Sequence, residues 1–391
     1  FLVRLPSGAR YWTVLDEDLA VVAVADGFLR HVRFGRDGAE STTKSYANSI
    51  ALFFRWCART GRAWESGAEQ LGLFITWLAH AGRQASSADV GSTGTGVVFA
   101  GPGGVPARSP SRINGVLTAV RGMVVHAVAA GQAPGRLVPL LYEVADGRDL
   151  PEAARGQDGQ LVWRMRARHR LHEPDEPVDR AADADIVAIL GACRSARDRL
   201  IVLLMARAGL RRGEVLGLRR SDVHLLLDSG PLGCAVARAH VHVVRRDDNV
   251  NGAVAKSRRP RAVPLDFVTV QAFDTYEFER RAVSGATVSD FVFVNLLREP
   301  VGAPMRLDAV NDLIAAASRR AGLVEVVTPH QLRHAFGSNV ADAEAGLDVV
   351  QELLGHASIS STQVYMHPDE ARLRAAVDRV PSPRETVGRS R

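Results

Sequence analysis

Apolar residues recur at helical spacing through most of the first third of the chain. Residues 15–34 combine that period with acidic residues in the first turn, which predicts a helix. Residues 82–110 are rich in Gly, Ser and Pro and lack periodicity, which predicts a long loop. We therefore expect a small helical domain over residues 1–145. Its further helices are predicted from a Ser41–Thr43 N-cap to about Gly61, over 68–80 and over 111–130.

The pattern changes after residue 145. Residues 146–182 are irregular and rich in Pro, Arg and Asp, with a basic run at 163–170, which predicts a linker. That linker either crosses the face of a polyanion or is an ordinary solvated segment. From Asp183 onward, helices alternate with short β-like runs, and we expect a mixed α+β domain over 183–391. Its helices are predicted at 183–194, 196–209, 211–218, 266–283, 306–321, 330–343, 347–354, 360–366 and 369–379, and its strands at 234–238, 240–245 and 261–265. The expected fold class is mainly α with a small antiparallel β-sheet.

Composition narrows the classes of function. Lys plus Arg number 49 against 43 Asp plus Glu, and the net charge of +6 favours a polyanionic partner, although solubility alone could explain it. We expect no membrane span, because no apolar run reaches the length that a span requires. We also expect no signal peptide, because Phe1–Arg10 is not a charged stretch followed by an apolar block and a small-residue cleavage site. The cysteines Cys57, Cys193 and Cys234 are far apart and odd in number. They predict neither a disulfide framework nor a zinc cage, and suit a reducing cytoplasm.

The first segment with candidate chemistry runs from Gly209 to Glu214. Gly209 can end one helix, so that Arg211 starts the next with Glu214 three residues on. A carboxylate at that spacing can fix the orientation of a guanidinium. Taken alone, the segment could equally be two surface arginines and a capping glutamate.

The second segment is a basic turn that contains Lys256, in a predicted hairpin. Only Lys44 and Lys256 among the 49 basic side chains are lysines. Lysine can donate a proton to a leaving group, whereas arginine stays protonated at any accessible pH. Lys256 is therefore a candidate proton donor, although a solvated basic turn would have the same composition.

The third segment is His330-Gln331-Leu332-Arg333-His334. His330 and Arg333 share a helix face, where an imidazole beside a guanidinium suits a phosphate. His330 and His334 have the i,i+4 spacing of a helical zinc pair, but no Glu follows His330. A zinc hydrolase is therefore a remote alternative.

The fourth segment is Leu353-Leu354-Gly355-His356, with Tyr365 nine residues after His356. Gly355 is expected to end a helix, and Tyr365 to lie near the end of a short helix that can move. A tyrosine there is a plausible nucleophile, or alternatively a partly buried packing residue. His240 and His242 share one face of a predicted strand, and we interpret them as surface or DNA-adjacent residues, not as ligands.

In this order and at these separations, the four segments resemble the tyrosine recombinase (phage integrase) family. Its boxes read Gly-x-Arg-x-x-Glu, Lys followed by Arg-x-Val-Pro, His-x-Leu-Arg-His, and Leu-Gly-His with Tyr nine residues on. The resemblance covers about residues 183–370, and the helices at 41–131 are similar to the core-binding domain of the family. Ala208 departs from the Thr that is frequent in the family, and the spacing selects Arg211 over Arg212.

The resemblance implies a site-specific DNA recombinase that works without metal, nucleotide or other cofactor. DNA strands would be cleaved and rejoined through a 3′-phosphotyrosyl bond to Tyr365. The two catalytic arginines would bind the non-bridging oxygens, and Glu214 would orient the first of them. The implied catalytic residues are Arg211, Lys256 as proton donor to the 5′-oxygen, His330 as aid to deprotonation, Arg333, His356 as hydrogen-bond donor to a non-bridging oxygen, and Tyr365.

The resemblance also implies partners and location. The two domains would clamp double-stranded DNA, and the tail at 369–391 would dock on a neighbouring copy to form a synaptic tetramer. We expect a cytoplasmic, nucleoid-associated protein with no membrane partner. Two alternatives stay open: a type IB topoisomerase-like nicking-closing enzyme, and a catalytically degenerate DNA-binding protein. The sequence leaves undetermined the target site, any accessory factors and the choice among integration, transposition and chromosome or plasmid resolution.

Overall fold

The computed structural model describes residues 1–80, 106–145, 164–173, 179–343, 346–355 and Tyr365. The chain forms two compact units, Phe1–Asp175 and Glu176–Arg391, so the boundary falls inside the predicted linker. Most of the predicted loop at 82–110, much of the linker, His356 and the C-terminal tail lie outside the described residues, as do the predicted helices at 360–366, apart from Tyr365, and 369–379. Among the described helices, none is both long and apolar enough to cross a membrane.

The first unit is mainly helical, with two small hairpin-like sheets. Strand pairs β1–β2 and β3–β4 are both antiparallel. Helix α1 continues directly into one π-helical stretch, His31–Gly35. The elements are β1 (Leu2–Arg4), β2 (Arg10–Trp12), α1 (Ala23–Arg30), α2 (Glu40–Arg59), α3 (Trp64–Glu69), α4 (Leu71–His80), α5 (Pro110–Ala129), α6 (Val138–Leu141), β3 (Tyr142–Ala145) and β4 (Arg164–Ala167).

Aromatic and aliphatic side chains from α1, α2, α4 and α5 form the core of this unit. Phe53 and Phe74 are fully buried and meet edge to face at 5.3 Å between ring centroids. The start of α5 is fixed because the Ser109 hydroxyl accepts a hydrogen bond from the Arg112 N–H and Pro110 occupies the first turn. This matches the predicted start of the fourth helix to within a residue or two.

Four predictions for the first unit are wrong. The predicted Ser41–Thr43 N-cap is not formed, because α2 begins at Glu40 after Ala39 without a side-chain cap. The single helix predicted over 68–80 is divided between α3 and α4.

The first helix begins at Ala23, not at residue 15, because the Asp16 carboxylate accepts hydrogen bonds from the backbone N–H groups of Asp18 and Ala20 and stabilises a turn instead. Part of the basic run at 163–170 is not irregular, since Arg164–Ala167 pairs with β3.

The second unit packs helices around a small three-stranded antiparallel sheet of order β5-β6-β7. The helix Ala196–Ala206 is buried from Leu200 to its end and forms the centre of the core. The elements are α7 (Asp183–Ala192), α8 (Ala196–Ala206), α9 (Arg212–Gly217), β5 (Val223–His224), β6 (His240–Val243), β7 (Arg261–Pro264), α10 (Phe267–Arg281), α11 (Leu307–Arg320), α12 (Pro329–Asp342) and α13 (Leu347–Leu354).

The predicted fold class, mainly α with small antiparallel sheets, is confirmed. The strand predicted at 234–238 is wrong, and the short strand β5 was not predicted. His240 is also not a surface residue, because only 1% of it is exposed. A strand of two residues has no alternation that a sequence pattern could reveal.

Candidate active site

A left-handed glycine sets the path of the chain into the site. Gly209 has φ +63° between α8 and α9, and a Cβ at this position would overlap the ring of Phe336. The carbonyl oxygen of Gly209 accepts a hydrogen bond from the Arg333 guanidinium. The turn therefore places Arg211 at the start of α9 and fixes it relative to α12.

Glu214 is the anion around which the arginines are arranged. Its carboxylate is fully buried and accepts hydrogen bonds from the backbone N–H of Arg211 at 2.9 Å and from the Arg211 guanidinium at 3.0 Å. Arg261 donates two more, at 3.2 and 2.8 Å, and Arg333 lies 3.9 Å away. Burial alone would raise the pKa of Glu214, but the hydrogen bonds and charge of Arg261 and the charge of Arg211 hold that pKa below its ordinary value.

All three arginines also bind the end of α13, Arg211 through a 3.4 Å hydrogen bond to the Leu354 carbonyl. Arg333, only 2% exposed, donates to the Leu354 carbonyl at 2.6 Å, and Arg261 donates to the Leu353 carbonyl at 3.1 Å. Helix C-termini attract cations because their last carbonyls have no partner within the helix. Burial, and next the charge of Arg211, lower the pKa of Arg333 to about 9. The guanidinium is thus held rigidly and stays cationic at neutral pH.

The connection between β6 and β7 carries Lys256 to the same region. A Cβ on Gly213 would lie 2.8 Å from the carbonyl oxygen of Val254, so this backbone lies directly against α9. The Asn251 side-chain amide donates to the Leu216 carbonyl at 3.0 Å and holds the connection down. Lys256 is exposed, and its positive charge contributes to lowering the pKa of His330.

Tyr365 and the two histidines of α12 form a chain of hydrogen bonds. Its hydroxyl lies 2.7 Å from Nδ1 of His334, and Nε2 of His334 lies 2.7 Å from Nε2 of His330. The Tyr365 ring is 5% exposed and packs with Leu354, and a Cβ on Gly337 would lie 2.7 Å from it. Only glycine at position 337 leaves room for the tyrosine in this place.

Burial, helped by the neighbouring positive charges, keeps the imidazoles neutral. Burial is the largest cause that lowers the pKa of His334 to about 4, followed by His330 and Arg333. Burial, then Arg333, Arg211 and Lys256, also lower the pKa of His330. Burial raises the pKa of Tyr365, while Arg333 and Arg211 pull it back down. A neutral His334 has a lone pair available for the tyrosyl proton.

The structure brings most of the sequence-predicted site residues together. The residues that lie together are Arg211, Glu214, His330, Arg333 and Tyr365. Lys256 is close enough to lower the pKa of His330. His356 lies outside the described residues. Sequence reasoning missed two participants. Arg261 was visible only as part of the Arg-x-Val-Pro motif, and His334 was weighed only as a zinc ligand.

The sequence has recognisable relatives. Residues 180–372 match the model of the phage integrase family. Transposase A from transposon Tn554 of Staphylococcus aureus is 31% identical over 184 residues, which are 47% of this chain and 47% of that protein. Tyrosine recombinase XerD of Staphylococcus haemolyticus is 30% identical over 179 residues, 46% of this chain and 52% of that protein. The chain thus spans about half the length of the curated relatives that it matches.

Solved structures show the same fold at low sequence identity. The Tn1549 transposon integrase in complex with transposon right end DNA has a TM-score of 0.57 and 17% identity, over 92% of this chain and 99% of that chain. XerH recombinase bound to palindromic difH substrate has a TM-score of 0.54 and 16% identity, over 88% of this chain and 81% of that chain. The chain therefore shares the fold of these integrase and recombinase structures. Residues 180–372 of the chain are a phage integrase family domain.

Proposed function

We propose that this chain is a site-specific DNA recombinase that cleaves and rejoins DNA strands through a 3′-phosphotyrosyl intermediate on Tyr365. The observation that carries the proposal is the 2.7 Å approach of the Tyr365 hydroxyl to His334, beside the buried guanidinium of Arg333. Two relatives are named a transposase and a tyrosine recombinase, which supports the same class of reaction.

In the proposed cleavage step, the Tyr365 oxygen forms a bond to a backbone phosphorus and the bond from phosphorus to the 5′-oxygen breaks. Negative charge then builds up on the non-bridging oxygens. Arg211 and Arg333 would stabilise that charge, since preorganised cations in a partly dry site are usually the largest catalytic contribution. Glu214 keeps Arg211 in place and leaves its guanidinium 25% exposed towards a ligand.

The tyrosyl proton has a defined route. In the tautomer in which Tyr365 donates to Nδ1 of His334, Nε2 of His334 carries a proton and donates to His330. His334 would thus accept the tyrosyl proton while passing its own towards His330, which is the proposed aid to deprotonation. Lys256 would give a proton to the departing 5′-oxygen, and the reverse steps rejoin the strand. No metal ion or nucleotide takes part in these steps.

The roles of His356, of the C-terminal tail and of the partners are proposed from the sequence. His356 would donate a hydrogen bond to a non-bridging oxygen. The two units would clamp double-stranded DNA, and the tail at 369–391 would dock on a neighbouring copy in a synaptic tetramer. The protein would act in the cytoplasm, in association with the nucleoid, with accessory factors left unspecified.

The test starts by recovering DNA that is covalently attached to the protein in cells and sequencing it. A nicked suicide substrate built on that sequence should then trap a stable adduct with the purified chain. A plasmid with two such sites should recombine, whereas a topoisomerase-like enzyme would relax supercoiled plasmids with or without the site. Absence of any DNA covalently attached to the protein in cells would indicate a non-catalytic DNA-binding protein and overturn the proposal.

A further inference from the structure

We propose that His224, Cys234, His240 and His242 bind a zinc ion in the second unit, at a site separate from the one described above. His224 lies on β5, His240 and His242 on β6, and Cys234 on the connection between those strands. The side chains offer one thiol and three imidazoles, and their four potential ligand atoms all lie within 4.8 Å of one another. This inference does not depend on the proposed recombinase activity.

The separations between ligand atoms fit a tetrahedral ion. The Cys234 Sγ lies 3.3 Å from Nε2 of both His240 and His242, and those two nitrogens are 3.1 Å apart. Zn–N bonds of about 2.0–2.1 Å and a Zn–S bond of about 2.3 Å at tetrahedral angles place the nitrogens about 3.3 Å apart and sulfur about 3.6 Å from each. A shift of a few tenths of an ångström would accommodate the metal between these three ligands, and His224 would close in further to complete the set, because the four ligand atoms lie within 4.8 Å of one another.

The hydrogen-bond inventory of the cluster also points to a cation. Nδ1 of His240 lies 2.7 Å from the Arg238 carbonyl, an acceptor, so this nitrogen carries the ring proton and Nε2 of the neutral ring presents a lone pair. The Cys234 thiol has a single proton and can donate it to only one of its two nitrogen neighbours. The Nδ1 of His224 is buried without a hydrogen-bond partner. A metal ion at the centre would accept lone pairs from all of these groups at once.

The fold supplies these ligands from short, rigid elements. His224 is directly opposite His240 in the antiparallel register, and their rings stack at 4.8 Å between centroids. His240 and His242 are two residues apart on one strand and so share a face of the sheet. Gly233 has φ +79°, a left-handed turn immediately before Cys234 that returns the thiol towards the sheet. The carbonyl of Arg238 orients His240 by accepting its ring N–H, as ligand histidines usually require.

The donor set selects zinc and a structural role. Thiolate and imidazole ligands in a tetrahedral arrangement suit zinc, and four protein ligands leave no open position for a substrate. The ion would tie the connection between β5 and β6 to the sheet. The same strand β6 leads into the connection that carries Lys256, so the metal would stabilise the base of that hairpin.

The first test measures metal in the full, untagged chain purified from zinc-supplemented medium. Elemental analysis after dialysis should give one zinc per chain. The metal-free protein titrated with Co²⁺ should develop a thiolate-to-cobalt band in the near ultraviolet and intense visible bands of tetrahedral cobalt. Absence of both the retained zinc and the cobalt bands would overturn the proposal.

Variants then assign the ligands. Cys234→Ser should lose the thiolate band and weaken zinc binding at least tenfold, and His242→Ala should weaken binding similarly, which provides a second variant if one of them folds poorly. Cys193→Ala and His172→Ala are the matched controls, since Cys193 is a buried thiol outside the cluster and His172 is an exposed histidine. Unchanged zinc affinity in both ligand variants, or an equal loss in the controls, would contradict the assignment.

Discussion

The second unit contains two groups of histidines that look alike locally and differ in what surrounds them. His330 and His334 approach through their Nε2 atoms at 2.7 Å on one helix, and His240 and His242 approach in the same way at 3.1 Å on one strand. The helix pair contacts the hydroxyl of Tyr365, whereas the strand pair contacts the thiol of Cys234.

Charge separates the two groups more clearly than spacing does. The cations Arg333, Arg211 and Lys256 act on His330, so a metal ion there would be repelled and an anionic phosphate attracted. The strand pair lies beside a thiol that becomes an anion when it binds a metal. Thus the two histidines with the i,i+4 spacing of a helical zinc pair lie at the proposed phosphate-binding site. The proposed zinc site is instead formed by a β-sheet and one of its connections.

The Tyr365→Phe substitution should have the largest effect on DNA cleavage and should leave the proposed zinc site unchanged. The phenyl ring of the variant would keep the packing against Leu354, while the nucleophilic oxygen is removed. A trapped-adduct assay should then detect no covalent DNA, and a gel-shift assay should show unchanged DNA binding. Zinc content should equal that of the wild type. Loss of DNA binding together with cleavage would instead indicate that the substitution disturbs the fold.

The Arg333→Lys variant should slow strand cleavage by about 10²–10³-fold, because lysine keeps the charge but cannot present the planar fork of donors. It also removes the two guanidinium hydrogen bonds to the Gly209 and Leu354 carbonyls. Single-turnover cleavage of the suicide substrate measures the rate. Arg281→Lys, in an exposed ion pair with Glu277, is the matched control and should cleave at the wild-type rate. A rate within threefold of wild type for Arg333→Lys would exclude a direct role for its guanidinium.

The imidazole of His334 should titrate in the free protein with a pKa near 4, as burial, His330 and Arg333 disfavour its protonated form and only Asp179 favours it. Since the folded-state pKa lies below the unfolded value of about 6.5, the unfolded chain binds more protons between these values. This histidine therefore contributes stability above pH 6.5 that is lost as the pH falls towards 4.

Proton NMR can follow the imidazole resonances, with the His334→Gln variant identifying the signal. The pH dependence of the unfolding temperature between about pH 4 and 6.5 should become shallower in that variant. A His334 midpoint above about 7.5 would mean that the ring is mostly charged at neutral pH and cannot accept the tyrosyl proton.

The smallest effect on DNA cleavage is expected from a substitution in the proposed zinc cluster. Cys234→Ser should lower the unfolding temperature by about 4–8 °C, the shift expected if metal loss costs about 2 kcal/mol in a unit of this size. Cleavage below the unfolding temperature should stay within about twofold of wild type. A large loss of cleavage without a loss of stability would show that the cluster acts on the active site directly and that the two groups are not independent.

Sequence periodicity predicted the long helices α2, α5, α8 and α12 well, because they bury continuous apolar faces. The last three also begin after a Ser or Thr whose hydroxyl caps the helix. The Gly209 turn, the Arg211–Glu214 pair and the shared face of His330 and Arg333 follow from local spacing, which is why the sequence could identify them. Their assembly around Glu214 depends on packing between distant elements, so Arg261 was not recognised as a partner.

The histidine cluster on the sheet was missed for a related reason. Its residues are separated by unequal intervals, and the two-residue strand β5 that supplies His224 is too short to show alternation. Only the register that sets His224 opposite His240 brings the ligands together. The three cysteines were weighed as a set, whereas the proposed site uses one of them with three imidazoles.

The most direct test of the central claim identifies the residue that becomes attached to DNA. The trapped adduct would be digested with nuclease and protease, and the modified peptide sequenced by mass spectrometry. We expect the residual nucleotide on the oxygen of Tyr365, joined through its 3′-phosphate. Attachment to any other residue, or through a 5′-phosphate, would contradict the account.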